Sequence, residues 1–294
     1  MNQIEKKDRR SSFGITAVII LTLYSITIIG ALLWALNSSL KARLDFRANL
    51  FGLPKKFMFG NFISAFHELS VPIEKGAGTD NVYLWGMIFN SLLIAVVPVT
   101  VRILTTAICS YTIAKYNFRG KQLIYNIIII VMIMPIVGNL PSAMQISKAI
   151  GFYDKIWATW LTSGVIWTSD FLILYAVYKG IPWDYAEAAL IDGATDWQVY
   201  WKIMIQLSKT TILVLVLIGF IASWNDYNTS LIWLPSYPSL AYGLYYFQFS
   251  NSQIASSITI QLSACSISIL PIFIVFMIFK DKMMGCLTMG GLKG

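Results

Sequence analysis

Six runs of apolar residues, covering about 13–36, 86–114, 122–146, 156–178, 210–233 and 258–280, limit what this chain can fold into. An α-helix rises about 1.5 Å per residue, so about 20 residues cross the roughly 30 Å of a bilayer's hydrocarbon. A soluble fold also needs a charged surface. Here charged residues are only 12% of 294, against about 25% in ordinary soluble domains. The expected fold class is an all-α membrane protein with six transmembrane helices; a soluble or disordered chain is excluded. The first run follows Lys6, Lys7, Arg9 and Arg10. It exceeds the roughly 7–15 apolar residues of a signal peptide, so it predicts a retained helix.

The net charge of +8 does not form a nucleic-acid surface, because the basic residues sit in short clusters between apolar runs. With the N-terminus inside, 13 of the 22 Lys and Arg residues fall in cytoplasmic segments and 8 outside. Six of those eight lie in the long first outer loop; the short loops obey the positive-inside rule. The expected organisation is a cytoplasmic N-terminus (1–12), a first transmembrane helix (13–36), an extracytoplasmic loop (37–85), a five-helix core (86–280) and a cytoplasmic tail (281–294). Cys109, Cys265 and Cys286 are too far apart for a disulfide or metal framework, and His67 is the only histidine. The third run carries Pro135, Gly138 and Pro141, which predict a kink.

Residues 179–209 are too polar to cross and too patterned for a plain loop. Pro182 opens a helix, and Asp184 with Glu187 has the spacing of a capping box. Gly193 supplies a left-handed stop, and Asp196 suits the start of a second short helix carrying Trp197, Val199, Tyr200, Ile203 and Met204. Ala186, Ala188, Ala189, Gly193 and Ala194 give the elbow small residues that let a partner approach. On spacing alone, an amphipathic helix resting on the membrane explains the segment equally well.

Glu187-Ala188-Ala189 and Ile191-Asp192-Gly193-Ala194 read EAALIDGA, which resembles the EAA motif of binding-protein-dependent ABC importer permeases. Further matches follow in order: Asn90-Ser91, the stretch Ser110–Lys115, Phe118-Arg119-Gly120-Lys121, Met134-Pro135, Pro141, Gly151-Phe152, Trp157-Ala158, Ile181-Pro182, Trp224-Asn225-Asp226 and Gly285–Thr288. The set is similar to the carbohydrate-uptake group, the maltose-transporter (MalG-type) permease subunit, over about 85–294. Gln206 and Thr210 stand where that family usually has proline, and Met289-Gly290-Gly291 where it usually has a small-residue run.

The resemblance implies the ABC type I importer permease fold, with a cytoplasmic EAA coupling-helix elbow at 181–207. It implies a bacterial cytoplasmic membrane protein with both termini cytoplasmic, embedded in membrane lipid. The implied partners are a second homologous permease subunit, two ATPase subunits and an extracytoplasmic solute-binding protein carrying a sugar, with no nucleic acid. The chain has no GxxxxGK[ST] phosphate loop, so no cofactor is expected on it; ATP and Mg would sit on the partner ATPases. Glu187, Ala188, Ala189, Asp192, Gly193 and Ala194 are the implied ATPase-coupling residues.

Arg102, Asp170 and Asp226 are ionisable residues within spans, where charges usually face protein or water. Arg102 and Asp170 fall at similar depth, which allows an ion pair or a shared polar cavity; separate contacts with a second subunit or with backbone carbonyls are the alternative. Asp226 falls near the outer face. Asn139, Thr168, Ser169, Trp224, Asn225, Asn228, Gln261 and Ser263 add polar or aromatic candidates for a translocation path; packing between helices is the competing role. The aromatic stretch 234–257 reads as an outer loop, reaching a docked binding protein by resemblance or forming an interfacial belt. A secondary transporter working without an ATPase is the alternative function. It would show internal repeats, and none is convincing. A membrane enzyme would need a reactive cluster, and none is present.

Overall fold

A computed structural model describes residues 12–75, 78–134, 137–249 and 257–290. Lys6, Lys7, Arg9, Arg10, Pro135, residues 250–256 of the aromatic stretch, Gly291, Lys293 and Gly294 lie outside the described residues. The chain divides into two compact units, residues 1–68 with 250–267 and residues 69–249 with 268–294.

The first unit begins with α1 (Ser12–Ser39), which is apolar on every side and exposed along most of its length. A helix of that kind needs an apolar surround. Two short helices follow, α2 (Arg43–Ala48) and α3 (Gly60–Glu68). The fully buried Lys41 ties the end of α2 to the end of α1, its Nζ donating to the carbonyls of Asn49 and Leu50 at 2.8 and 3.2 Å.

The second unit opens with an antiparallel hairpin, β1 (Ser70–Lys75) and β2 (Gly78–Tyr83), in the register Ser70↔Tyr83 to Lys75↔Gly78. The segment 37–85, expected to be an extracytoplasmic loop, thus contains α2, α3 and this hairpin. Then come α4 (Leu84–Lys115), α5 (Lys121–Ile133), α6 (Leu140–Ala149), α7 (Ile156–Thr162), α8 (Ser169–Gly180), α9 (Asp184–Ile191), α10 (Asp196–Val199) and α11 (Ile205–Trp224). α12 (Leu240–Phe249) and α13 (Ile258–Gly290), whose stretch up to Ile267 belongs to the first unit, complete the order. α4 is the central element and packs along α7, α8, α11 and α12.

Among the described residues, four stretches are long and apolar enough to cross a bilayer: Gly14–Ser39, Leu84–Lys115, Asp196–Trp224 and Ile258–Lys280. Three of the six expected runs are not single straight helices with the expected bounds, and the kink expected in the third is a full break. The third run is α5 and α6 with a break between them. Met134 precedes a proline and is extended (φ −66°, ψ 119°), as proline's ring demands of the residue before it. Gly138 has φ +76°, and Pro141 sits in the first turn of α6, where its missing N–H costs nothing. The fourth run is α7 and α8, separated by residues 163–168. The fifth starts earlier and ends earlier than expected: α10, a π-helical turn at Tyr200–Met204 and α11 run end to end, stopping at Trp224. With Gln206 and Thr210 in place of proline, nothing breaks it. A separate π-helical turn covers Thr229–Trp233.

The aromatic stretch is not an open loop either, since ten of its residues form α12. Asn90 donates to the Pro238 carbonyl at 3.1 Å, and the Leu240 N–H donates to Ser91 Oγ at 2.7 Å. The Asn90-Ser91 pair thus fastens this segment to the start of α4.

Candidate functional site

The elbow is built from two turns of opposite chemistry. α9 ends in a paired cap: the Gly193 N–H donates to the Leu190 carbonyl at 3.0 Å and the Ala194 N–H to the Ala189 carbonyl at 2.9 Å. This is the Schellman pattern, which needs a left-handed residue after the helix. Gly193 supplies it with φ +84°. The capping box expected at Asp184 and Glu187 is absent, because Trp183 is the N-cap of α9 and its side chain makes no cap bond. The box lies at the start of the next helix. Thr195 caps α10 by accepting from the Gln198 N–H, while Gln198 Oε1 accepts from the Thr195 N–H at 3.0 Å. The sequence Thr-x-x-Gln carried that signal.

Small residues at the elbow divide into two sets. Ala186 is fully buried, and Ala189 and Ala194 pack against a core that contains Ile103, Tyr111, Tyr178, Tyr200 and Met204. Glu187, Ala188, Asp192 and Gly193 are exposed. The expected small-residue surface is therefore half correct, since three of its five members turn inward and hold the elbow to the body. Larger apolar groups stand out beside the exposed four, with Ile191 80% and Trp197 61% exposed.

Sequence reasoning missed the aromatic latch that fixes the elbow. Tyr116, just past α4, donates its hydroxyl to Asp196 Oδ1 at 2.8 Å and meets the Trp183 ring edge-on at 5.8 Å. Tyr111 stacks toward Tyr116, Tyr178 and Tyr200 with centroids 5.0–5.6 Å apart. Lys115 Nζ donates to the Ile181 carbonyl. Burial, and then the hydrogen bonds to Tyr111 and Asp196, push the Tyr116 phenol well above its ordinary range. The only hint was that Tyr111 and Lys115 belong to the matched Ser110–Lys115 stretch.

A phenol donating to a carboxylate contributes about 1.5–3 kcal/mol when shielded from water, and less here because Asp196 is exposed. Tyr116→Phe keeps the ring and loses that bond. Faster amide exchange across residues 184–200, with α4 unchanged, is the expected result; unaltered exchange would show that the latch carries nothing.

The membrane candidates separate. Arg102 Nε on α4 lies 3.3 Å from Asp170 Oδ2 in the first turn of α8, with the side chains 30% and 14% exposed. Nε has no hydrogen bond, so the contact is an ion pair. Gly219 on α11 completes the crossing: a Cβ there would sit 2.6 Å from Arg102 Nη2 and 2.8 Å from Val99 Cγ1. The α7–α8 break lies alongside α4, with Thr106 Oγ1 donating to the Val165 carbonyl at 3.4 Å.

Asp226 lines a cavity of about 570 Å³ with Pro98, Ser147, Thr159, Thr162 and Ser223. Its two oxygens accept from the Asn228 N–H at 2.9 Å and from Thr229 Oγ1 at 2.5 Å. Asn225 is exposed and donates back to the Ile221 carbonyl. Trp224 is buried and donates from Nε1 to the Ser268 carbonyl at 3.2 Å, so it packs rather than lining that cavity. Asn139 is exposed at the start of α6 and does not line it. Gln261 is half-buried in the other unit. Among the described residues, no three His, Cys, Asp or Glu side chains come together as a metal site would require.

A family profile described as binding-protein-dependent transport system inner membrane component matches residues 103–283. The chain is 24% identical to the diacetylchitobiose uptake system permease protein NgcG of Streptomyces coelicolor, over 96% of this chain and 89% of that one. It is 26% identical to the trehalose transport system permease protein SugB of Mycobacterium tuberculosis, over 70% of this chain and 76% of that one. The fold is similar to a chain in the crystal structure of a bacterial ABC transporter involved in the import of the acidic polysaccharide alginate. The TM-score is 0.76 at 19% identity, covering 96% of this chain and 99% of that chain.

Proposed function

We propose, since the chain belongs to the family of binding-protein-dependent transport system inner membrane components, that it is the permease subunit of an ATP-driven carbohydrate importer, carrying a di- or oligosaccharide. The observation that carries this reading is the elbow. Its inner alanines and aromatic latch hold it rigidly to α4, while Glu187, Ala188, Asp192 and Gly193 face outward. A rigid, outward-facing two-helix corner is what a partner needs to push on a membrane bundle.

Two ATPase subunits, holding ATP and Mg, would dock there and on the corresponding elbow of a second homologous permease. A solute-binding protein would deliver the sugar at the opposite face. The relatives' names, diacetylchitobiose and trehalose among them, support the carbohydrate class. The excess of Lys and Arg in the short inner segments supports cytoplasmic termini in a bacterial cytoplasmic membrane. The chain itself would perform no hydrolysis. Movement of the elbow would pass through α4 to the Arg102–Asp170 crossing and the cavity at Asp226, opening the bundle to one side and then the other.

Purification of the tagged chain from its native membrane is expected to bring down an ATPase and a second, different permease. Mass spectrometry of the ligand on the captured binding protein is expected to find a sugar. Recovery of a single chain that transports unaided would overturn the reading.

A further inference from the structure

The first outer loop breaks the charge rule that the short loops obey, and the fold around it suggests why. We infer that residues 43–59 form an interfacial anchor, seating phenylalanines in the bilayer and holding anionic phospholipid headgroups with Arg43, Arg47, Lys55 and Lys56. This rests only on α1 crossing the membrane, not on what the protein transports.

Position along α1 is the first observation. Trp34 Nε1 donates to the Leu50 carbonyl at 2.9 Å, and Asn37 Nδ2 donates to the Gly52 carbonyl at 2.9 Å. The loop therefore folds back along the last turns of the apolar helix. Trp34 lies five residues before the end of α1 at Ser39, or roughly 8 Å along the axis. With the bilayer surface placed at the end of α1, that equals the depth at which interfacial segments bury their apolar face, about 5–10 Å. Phe51 is carried there, its ring 6.5 Å from that of Trp34 and 85% exposed. Phe57 and Phe59, also exposed, stack on each other at 6.3 Å.

The fold-back is built rather than slack. Gly52 donates its N–H to Asn49 Oδ1 at 2.8 Å, and a Cβ at Gly52 would collide with that side chain. Lys41 and Asn61 tie the loop's two ends to α1.

Charge is the second observation. Arg43, Arg47, Lys55 and Lys56 are all exposed, and the one acidic residue among 41–63, Asp45, is half-buried with Oδ2 engaged by the Lys55 N–H at 2.9 Å. Exposed cations beside exposed phenylalanines at the end of a span match an anionic lipid surface. They also explain four of the six outer basic residues that topology alone does not require.

The test uses the full chain in its purified complex, with the three native cysteines changed to serine and a fluorophore on Phe51→Cys or Phe59→Cys. In nanodiscs of phosphatidylcholine with phosphatidylglycerol, nitroxide-labelled lipid is expected to quench both labels severalfold more than aqueous iodide does. Native mass spectrometry is expected to show retained phosphatidylglycerol falling severalfold when Arg43, Arg47, Lys55 and Lys56 are all changed to glutamine. Labels quenched mainly by iodide would overturn the anchor. Unchanged phosphatidylglycerol retention in the glutamine variant would overturn the headgroup assignment. Labels shielded only on addition of the binding protein would make the loop a protein-docking surface and also overturn the proposal.

Discussion

Gly193→Asp is expected to cut sugar uptake by about tenfold or more while the chain still inserts and still assembles its helices. Gly193 holds φ +84° at the end of α9. Most side chains resist that conformation by about 1–2 kcal/mol, but aspartate and asparagine adopt it more readily than others. A Cβ at this position would meet nothing within 4 Å inside the chain. The substitution therefore leaves the elbow's own packing alone.

What changes is the outward face, where a new carboxylate would join Glu187 and Asp192 at the proposed docking surface. An unpaired charge buried at an interface costs several kcal/mol, and each 1.4 kcal/mol is about tenfold in affinity. Uptake should fall by roughly tenfold or more. Gly193→Asn separates size from charge, because it also tolerates the left-handed turn and should keep part of the activity. Gly193→Ala should instead loosen the cap and be detected by amide exchange at residues 189–194. Wild-type uptake in Gly193→Asp, measured with radiolabelled sugar in proteoliposomes, would remove the elbow from the coupling path.

The sequence showed the elbow more fully than it showed the membrane bundle, for a physical reason. Caps are local. Gly193 after an alanine-rich turn, and Thr195 three residues before Gln198, announce themselves within a few positions. Even so, no box forms at Asp184 and Glu187, because Trp183 takes the N-cap position and a correct spacing does not fix the backbone that would use it. Apolar runs show that a segment belongs in the bilayer, but one periodic run looks the same whether it is a single helix or two. Pro135, Gly138 and Pro141 exposed the α5–α6 break. The α7–α8 break has no proline, and only Gly164 hints at it. The aromatic latch was least visible, since Tyr116 and Asp196 are 80 residues apart and meet only when α4 and the elbow fold together. Gly219 was likewise silent, because its purpose is the guanidinium that passes over it.

Breaking the Arg102–Asp170 pair should produce the second large effect. The pair lies where α4, α8 and α11 meet, with Asp170 only 14% exposed. Removing one partner of a largely buried pair strands the other charge, at a cost of about 3–5 kcal/mol when burial is complete. Arg102 is 30% exposed, which discounts the figure to about 2–3 kcal/mol. Asp170 also gains from its place in the first turn of α8, where the helix dipole favours a carboxylate by about 0.3–1 kcal/mol.

Asp170→Asn should therefore lower the unfolding temperature of the purified complex and impair uptake. Arg102→Met should do the same, and the double variant should lose less than the two single losses added together, with a coupling of about 1–3 kcal/mol. The reversed pair, Arg102→Asp with Asp170→Arg, should recover only part of the activity. Its arginine would face the positive end of α8, and its aspartate would be too short to span the gap beside Gly219. Gly219→Ala approaches the same site from the third helix. The guanidinium can yield, but the branched Val99 side chain 2.8 Å away cannot yield as easily. That variant should be destabilised in the wild-type background and less so with Arg102→Met, because one of its two collisions is then gone. Strict additivity between Gly219→Ala and Arg102→Met, and between Arg102→Met and Asp170→Asn, would show that the three helices do not share this crossing as a unit.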